Sequence, residues 1–94
     1  MLCLWLCRRK VRRSSDSINS NIVEGYGRRR YKKDYIRFLT YSHSSNDETL
    51  NHLVKIAKLY PELLEEAKSL AAEYDSLGAK LYKYMSYVEK NWRT

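Results

Sequence analysis

Ninety-four residues with only three glycines and one proline make one small domain and argue against β architectures, which need frequent turn residues. A hydrophobic fraction of 44% is that of a globular chain and excludes wholesale disorder. The net charge of +7 is lopsided: residues 1–33 carry ten Lys/Arg against two acids, and residues 34–94 carry eight against nine, so an anionic partner is expected, nucleic acid ahead of a membrane surface.

The chain opens with the apolar stretch Met1–Cys7, followed by the basic run Arg8–Arg13. The charge lies on the wrong side of the apolar segment for a signal peptide, and no small-residue cleavage site follows. The segment is far too short to cross a bilayer. Anchoring at a membrane surface needs a longer apolar element or a lipid, so no membrane partner is expected. Cys3 and Cys7 share a helix face at a spacing that rarely meets disulfide geometry, and they read as a reduced thiol pair of a cytoplasmic protein.

A first helix is predicted over about residues 4–26 from the spacing of Leu4, Cys7, Val11, Ile18, Ile22 and Tyr26. The Ser- and Asn-rich stretch Ser14–Asn21 is a poor helix former and depends on packing, but its small side chains let another helix come close. Gly25 and Gly27 are expected to end the helix, either one in the left-handed cap conformation.

A second helix is predicted over residues 31–59. The polar run Thr40–Thr49 reads as a loop by propensity. The phase argues otherwise, because positions 35, 38, 42, 45, 49, 53, 56 and 60 continue in steps of three or four through the run. One long helix with a polar middle is the reading. Pro61 suits the first turn of a third helix, over 61–92, and Glu62, Glu65 and Glu66 complement its positive end. Its seam is Leu63, Ala67, Leu70, Tyr74, Leu77, Leu81, Tyr84 or Met85, Val88 and Trp92. The expected fold is all-α: an antiparallel bundle of three helices in a single domain over residues 1–94. Tyr41, Tyr82 and Tyr87 fall off the seam and read either as subunit contacts or as ordinary surface.

Function gathers at the junction of the first two helices. Five of the six residues after Gly27 are basic, and Tyr31 interrupts them. Arg12, Arg13, Arg28, Arg29, Arg30, Lys32, Lys33 and Arg37 are the candidate phosphate-binding residues, and Tyr26 and Tyr31 can stack on bases. Cations at the start of a helix oppose its dipole, which argues against a purely structural role. The Ser20–Gly27 segment is not a phosphate loop: it lacks the GxxxxGK[ST] spacing and no strand precedes it. Glu24 is expected to pair with Arg28 or Arg37. His43 and His52 are nine apart, about half a turn round a helix, and cannot share a metal. No catalytic grouping stands out, so the expectation is a protein that is not an enzyme, with no metal, cofactor or small-molecule substrate.

The stretch SINSNIVEGYGRRRYKKDYIRFL, residues 17–39, resembles the hallmark of the 23S rRNA intervening-sequence proteins, four-helix bundles with a pattern close to SIPSNIAEGxGR, a basic stretch and IRFL. The resemblance covers about Arg8 to Trp92. Its characteristic positions fall on Ser20, Asn21, Glu24, Gly25, Gly27, Arg28, Arg37 and Phe38. It implies bacterial proteins assembled as homopentameric rings, a basic surface that binds RNA or DNA, and no established catalytic activity. Asn19 stands where the family has proline, which implies a less kinked first helix. The family pattern also has a further helix ahead of Arg8. Its absence here is expected to leave a groove open and favours a truncated gene model or a pseudogene-like fragment. The functional expectation is a nucleic-acid-binding protein, RNA ahead of DNA, oligomeric when intact. The alternative is a self-assembling structural protein whose basic hinge meets acidic surfaces of neighbouring subunits, for example around Glu62–Glu66.

Overall fold

The computed structural model describes residues 2–92, with side chains from Leu4 onward. Among them are three long helices: α1 (Leu2–Gly27), α2 (Lys32–Leu59) and α3 (Leu64–Asn91), with a three-residue 3-10 turn at Pro61–Leu63 leading into α3. Pro61 thus enters through a tighter turn before the α-helix takes over at Leu64. Cys7 is a half-buried free thiol, and Cys3, the other of the two thiols read as reduced, lies outside the described side chains.

The polar middle of α2 is helical and buried, as its phase predicts. Ser42, Asn46 and Thr49 are completely covered, and Ser45 nearly so. The serines of α1 receive it. Ser42 Oγ donates to the Ile18 carbonyl at 2.9 Å, Ser17 and Ser45 hydroxyls meet at 2.9 Å, and Thr49 Oγ1 lies 2.7 Å from Ser14 Oγ. The paired numbers run in opposite directions, so α1 and α2 are antiparallel. Small side chains bring the two backbones together, and each buried hydroxyl avoids its desolvation cost by finding a partner.

The other side of α2 packs antiparallel on α3. Tyr35, Leu39 and Val88 form its buried core, with Ile36, Met85 and Trp92 against it. Farther along, Asn46 Nδ2 donates to the Tyr74 carbonyl at 2.9 Å. Gly78 makes room for it, since a Cβ there would stand 2.8 Å from that nitrogen.

The helices do not close into a ring of mutual contacts. Among the described residues no Cα of α1 comes within 8 Å of a Cα of α3, so α2 is the central member of an open layer. The molecule measures 49 × 21 × 12 Å, and its radius of gyration of 15.2 Å exceeds the ~12 Å of a compact chain of this length. At the end of the molecule away from the α1–α2 junction, a groove of about 560 Å³ opens between α1 and α3, lined by Leu4, Val11, Leu53, Ile56, Ala67 and Leu70. Leu70, expected in the seam, is 43% exposed for this reason. Tyr84 is also partly exposed, with its hydroxyl turned in to meet Tyr35 at 2.6 Å.

The expectation of a left-handed glycine cap is corrected. Among the described residues no glycine has positive φ. The chain leaves α1 through short-range turns instead, with Arg28 N–H bonded to the Gly25 carbonyl at 2.9 Å and Arg29 N–H to the Tyr26 carbonyl at 3.2 Å. Such i to i−3 bonds tighten the last turn and use carbonyls that would otherwise be orphaned. Gly25 serves a different purpose, because it lies against Phe38 and Tyr35 of α2.

Candidate nucleic-acid interface

Three helix ends converge at the turn of residues 28–31. α1 ends there, α2 begins there, and the last turn of α3 lies alongside. Lys32 Nζ donates to the Glu89 carbonyl at 2.6 Å, and Trp92 Nε1 donates to the Arg29 carbonyl at 2.7 Å. The Trp92 ring meets Tyr35 edge to face at 5.3 Å. The C-terminal ends of α1 and α3 carry partial negative charge, and only α2 presents a positive end. The cationic turn is therefore better placed electrostatically than the start of α2 suggests by itself.

The motif residues form a staple across the turn. Glu24 pairs with Arg28 at 3.1 Å, as its spacing suggests, and Arg28 also reaches Asp34 at 3.9 Å. Asp34 pairs with Arg37 at 3.7 Å, so Arg37 takes a partner other than Glu24. Both guanidiniums lie 5.2 Å from the centre of the Phe38 ring. Gly25 lets α2 approach closely enough for Phe38 to sit there. Asn21 Nδ2 donates to the carbonyl and hydroxyl of Ser17, next to the α1–α2 serine contacts, while Ser20 and Gly27 are exposed.

The remaining cations differ in availability. The Arg29 guanidinium lies 4.0 Å from the Tyr26 ring centre and donates to the Tyr26 carbonyl. Tyr26 and Tyr31 are both more than half exposed. Arg30 and Lys33 are exposed and have no hydrogen-bond or ion-pair partner among the described residues. Arg12 and Arg13 are not part of this cluster. They stand sixteen residues from Arg28 and Arg29 along α1, about 24 Å away. Arg12 lines the apolar groove, and Arg13 borders a shallow depression with Glu48 and His52. The eight candidate residues thus divide into a six-residue cluster at the turn and a separate basic end of α1.

A family model described as 23S rRNA-intervening sequence protein matches residues 6–83. The chain belongs to this family. No curated protein and no solved structure matches it. The family match takes in the whole staple and every cation of the turn, but it stops short of Glu89 and Trp92, which hold that turn from α3.

Three groups that hold the turn escaped the sequence reading. Asp34 has a local signal, since it stands three residues before Arg37 in the first turn of α2. Trp92 and the Glu89 carbonyl have none, because their partners are about sixty residues away. Burial first, and then the hydrogen bond to Tyr84, push the Tyr35 hydroxyl pKa well above the ordinary tyrosine value. His43–Asp47 and His52–Glu48 are separate one-turn pairs, and among the described residues no group of three His, Cys, Asp or Glu gathers as metal ligands would. No helix there is long and apolar enough to cross a membrane.

Proposed function

We propose that this chain is a non-enzymatic nucleic-acid-binding protein that grips phosphate with the turn between α1 and α2. The observation that carries the reading is the local charge balance. Arg28, Arg29, Arg30, Lys32, Lys33 and Arg37 gather at the turn, where among the described residues Glu24 and Asp34 pair with Arg28 and Arg37, and Arg30 and Lys33 are left exposed without either acid. Such a surface binds phosphates by releasing counterions and positions the partner without reading bases. Exposed Tyr26 and Tyr31 beside it supply stacking faces, which favours unpaired nucleotides. The family description makes RNA the first choice over DNA. A homo-oligomeric, pentameric state in the cytoplasm belongs to the same proposal and rests on the resemblance.

The test replaces Arg28, Arg29 and Arg30 together by alanine and measures binding of single-stranded RNA across a salt series. Weaker binding is expected, with a salt slope flatter by about 0.7 for each phosphate contact removed. Unchanged affinity with an unchanged slope overturns the assignment. The alternative of self-assembly draws on the position of Glu62, Glu65 and Glu66, which are exposed at the far end of the molecule from the turn. Only another copy can bring these acids to the turn. Light scattering separates the readings: RNA-independent assembly that the triple replacement dissolves favours this second one.

A further inference from the structure

We propose that Trp92 is a positioning residue of the cationic turn, holding its arginines in one array from the end of α3. This rests on the phosphate-binding reading and adds a component that lies beyond the family match. The turn has little packing of its own, because residues 28–31 are all exposed. Its internal bonds, Arg28 N–H to Gly25, Arg29 N–H to Tyr26 and Tyr31 N–H to Arg28, fix its curvature, and the Arg28 staple ties its first residue to α1 and α2, but neither holds the middle of the turn to α3. The indole supplies that hold. Nε1 bonds the Arg29 carbonyl at 2.7 Å, in the middle of the arginine run, while the ring leans on buried Tyr35 at 5.3 Å. Lys32, bonded to the Glu89 carbonyl one turn earlier on α3, provides a second tether on the same side.

The chemistry explains why a tether matters. Six cations within ten residues repel one another and spread if the backbone is free. A polyanion then has to gather them, and the ordering cost falls on binding. A backbone fixed by a neutral indole N–H occupies no guanidinium, whereas a carboxylate tether would occupy one.

The experiment compares the full chain with Trp92→Phe, which keeps a ring against Tyr35 and removes the donor, and with Trp92→His, which keeps a smaller ring with an N–H. Binding of a single-stranded RNA is followed across a salt series, together with thermal melting and amide hydrogen exchange of residues 28–33. Trp92→Phe is expected to bind ~3- to 10-fold more weakly, to exchange faster over 28–33 and to release fewer ions, with melting little changed. Trp92→His is expected to recover part of the affinity and protection. Equal losses in both variants, or no change in affinity, slope and exchange in Trp92→Phe, overturn the positioning role. If Trp92→Phe binds normally while the Arg28/Arg29/Arg30 alanine variant does not, the role falls and the binding site stands. If the alanine variant binds normally, the binding site falls and the positioning role with it.

Discussion

Gly25 of α1 meets Phe38 of α2 so closely that a Cβ added at Gly25 would stand 2.9 Å from the Phe38 Cβ. The Arg28 and Arg37 guanidiniums both lie 5.2 Å from the Phe38 ring centre, so this approach sets both the helix crossing and the staple. Gly25→Ala is expected to cost ~1–3 kcal/mol by overpacking, only partly offset by the better helix propensity of alanine. Gly27 has nothing within 4 Å of an added Cβ and no positive φ. Gly27→Ala should be neutral or stabilising by up to ~1 kcal/mol. Urea denaturation of the two variants checks the contrast, and equal effects count against the close-approach account.

The α1–α2 seam is predicted to depend on small size more than on any single hydroxyl. Ser42→Ala removes one bond to the Ile18 carbonyl and should cost ~1 kcal/mol. Ser42→Leu fills a site with no exposed surface and should cost ~3 kcal/mol, moving α1 away from α2. Melting curves rank the two, and a leucine variant as stable as the alanine one removes the need for close packing.

Gly78 and Asn46 should be energetically coupled. A Cβ at Gly78 would stand 2.8 Å from Asn46 Nδ2, and Asn46 Oδ1 is buried without a partner. Gly78→Ala is expected to destabilise strongly in the wild type and weakly once Asn46 is alanine. A double-mutant cycle should return a coupling of ~1 kcal/mol or more; additive effects show that the asparagine moves aside freely.

Alkaline pH should loosen the α2–α3 contact through Tyr35. Its pKa is raised in the folded state, above the value near 10 of an exposed tyrosine. The folded state therefore holds the proton more tightly, and the associated stability is complete below pH ~10 and declines as the pH climbs towards the folded value. Tyr35→Phe should lower stability at pH 9 by ~1 kcal/mol through the lost Tyr84 bond and show a shallower decline at pH 11. Parallel declines in the two proteins place the alkaline sensitivity elsewhere.

The two staple carboxylates should act against binding. Glu24→Gln and Asp34→Asn each remove a competitor for Arg28 or Arg37 and are expected to tighten RNA binding by ~2- to 5-fold at low salt, with some loss of thermal stability. Arg30→Ala with Lys33→Ala should weaken binding without lowering the melting temperature, because neither side chain has a partner to lose. Fluorescence anisotropy at two ionic strengths reads all of these. Weaker binding in Glu24→Gln assigns the staple a role in shaping the site that outweighs its competition.

The sequence determined what depends on neighbours along the chain. Helix period carried α2 through its polar middle, because residues three and four apart share a face whatever their polarity. The clustering of Arg28–Lys33 and the Glu24–Arg28 pair were equally legible. Tertiary structure decided what depends on residues far apart in sequence. It placed Gly25 against Phe38 in place of a left-handed cap and left Leu70 open because α1 and α3 do not meet. It also set Arg12 and Arg13 some 24 Å along α1 from the turn. Above all it brought Trp92 to the Arg29 carbonyl across sixty-three residues. A charge run announces itself in the sequence; the neutral group that holds it in place does not, since one tryptophan at the end of a heptad pattern looks like any other core residue.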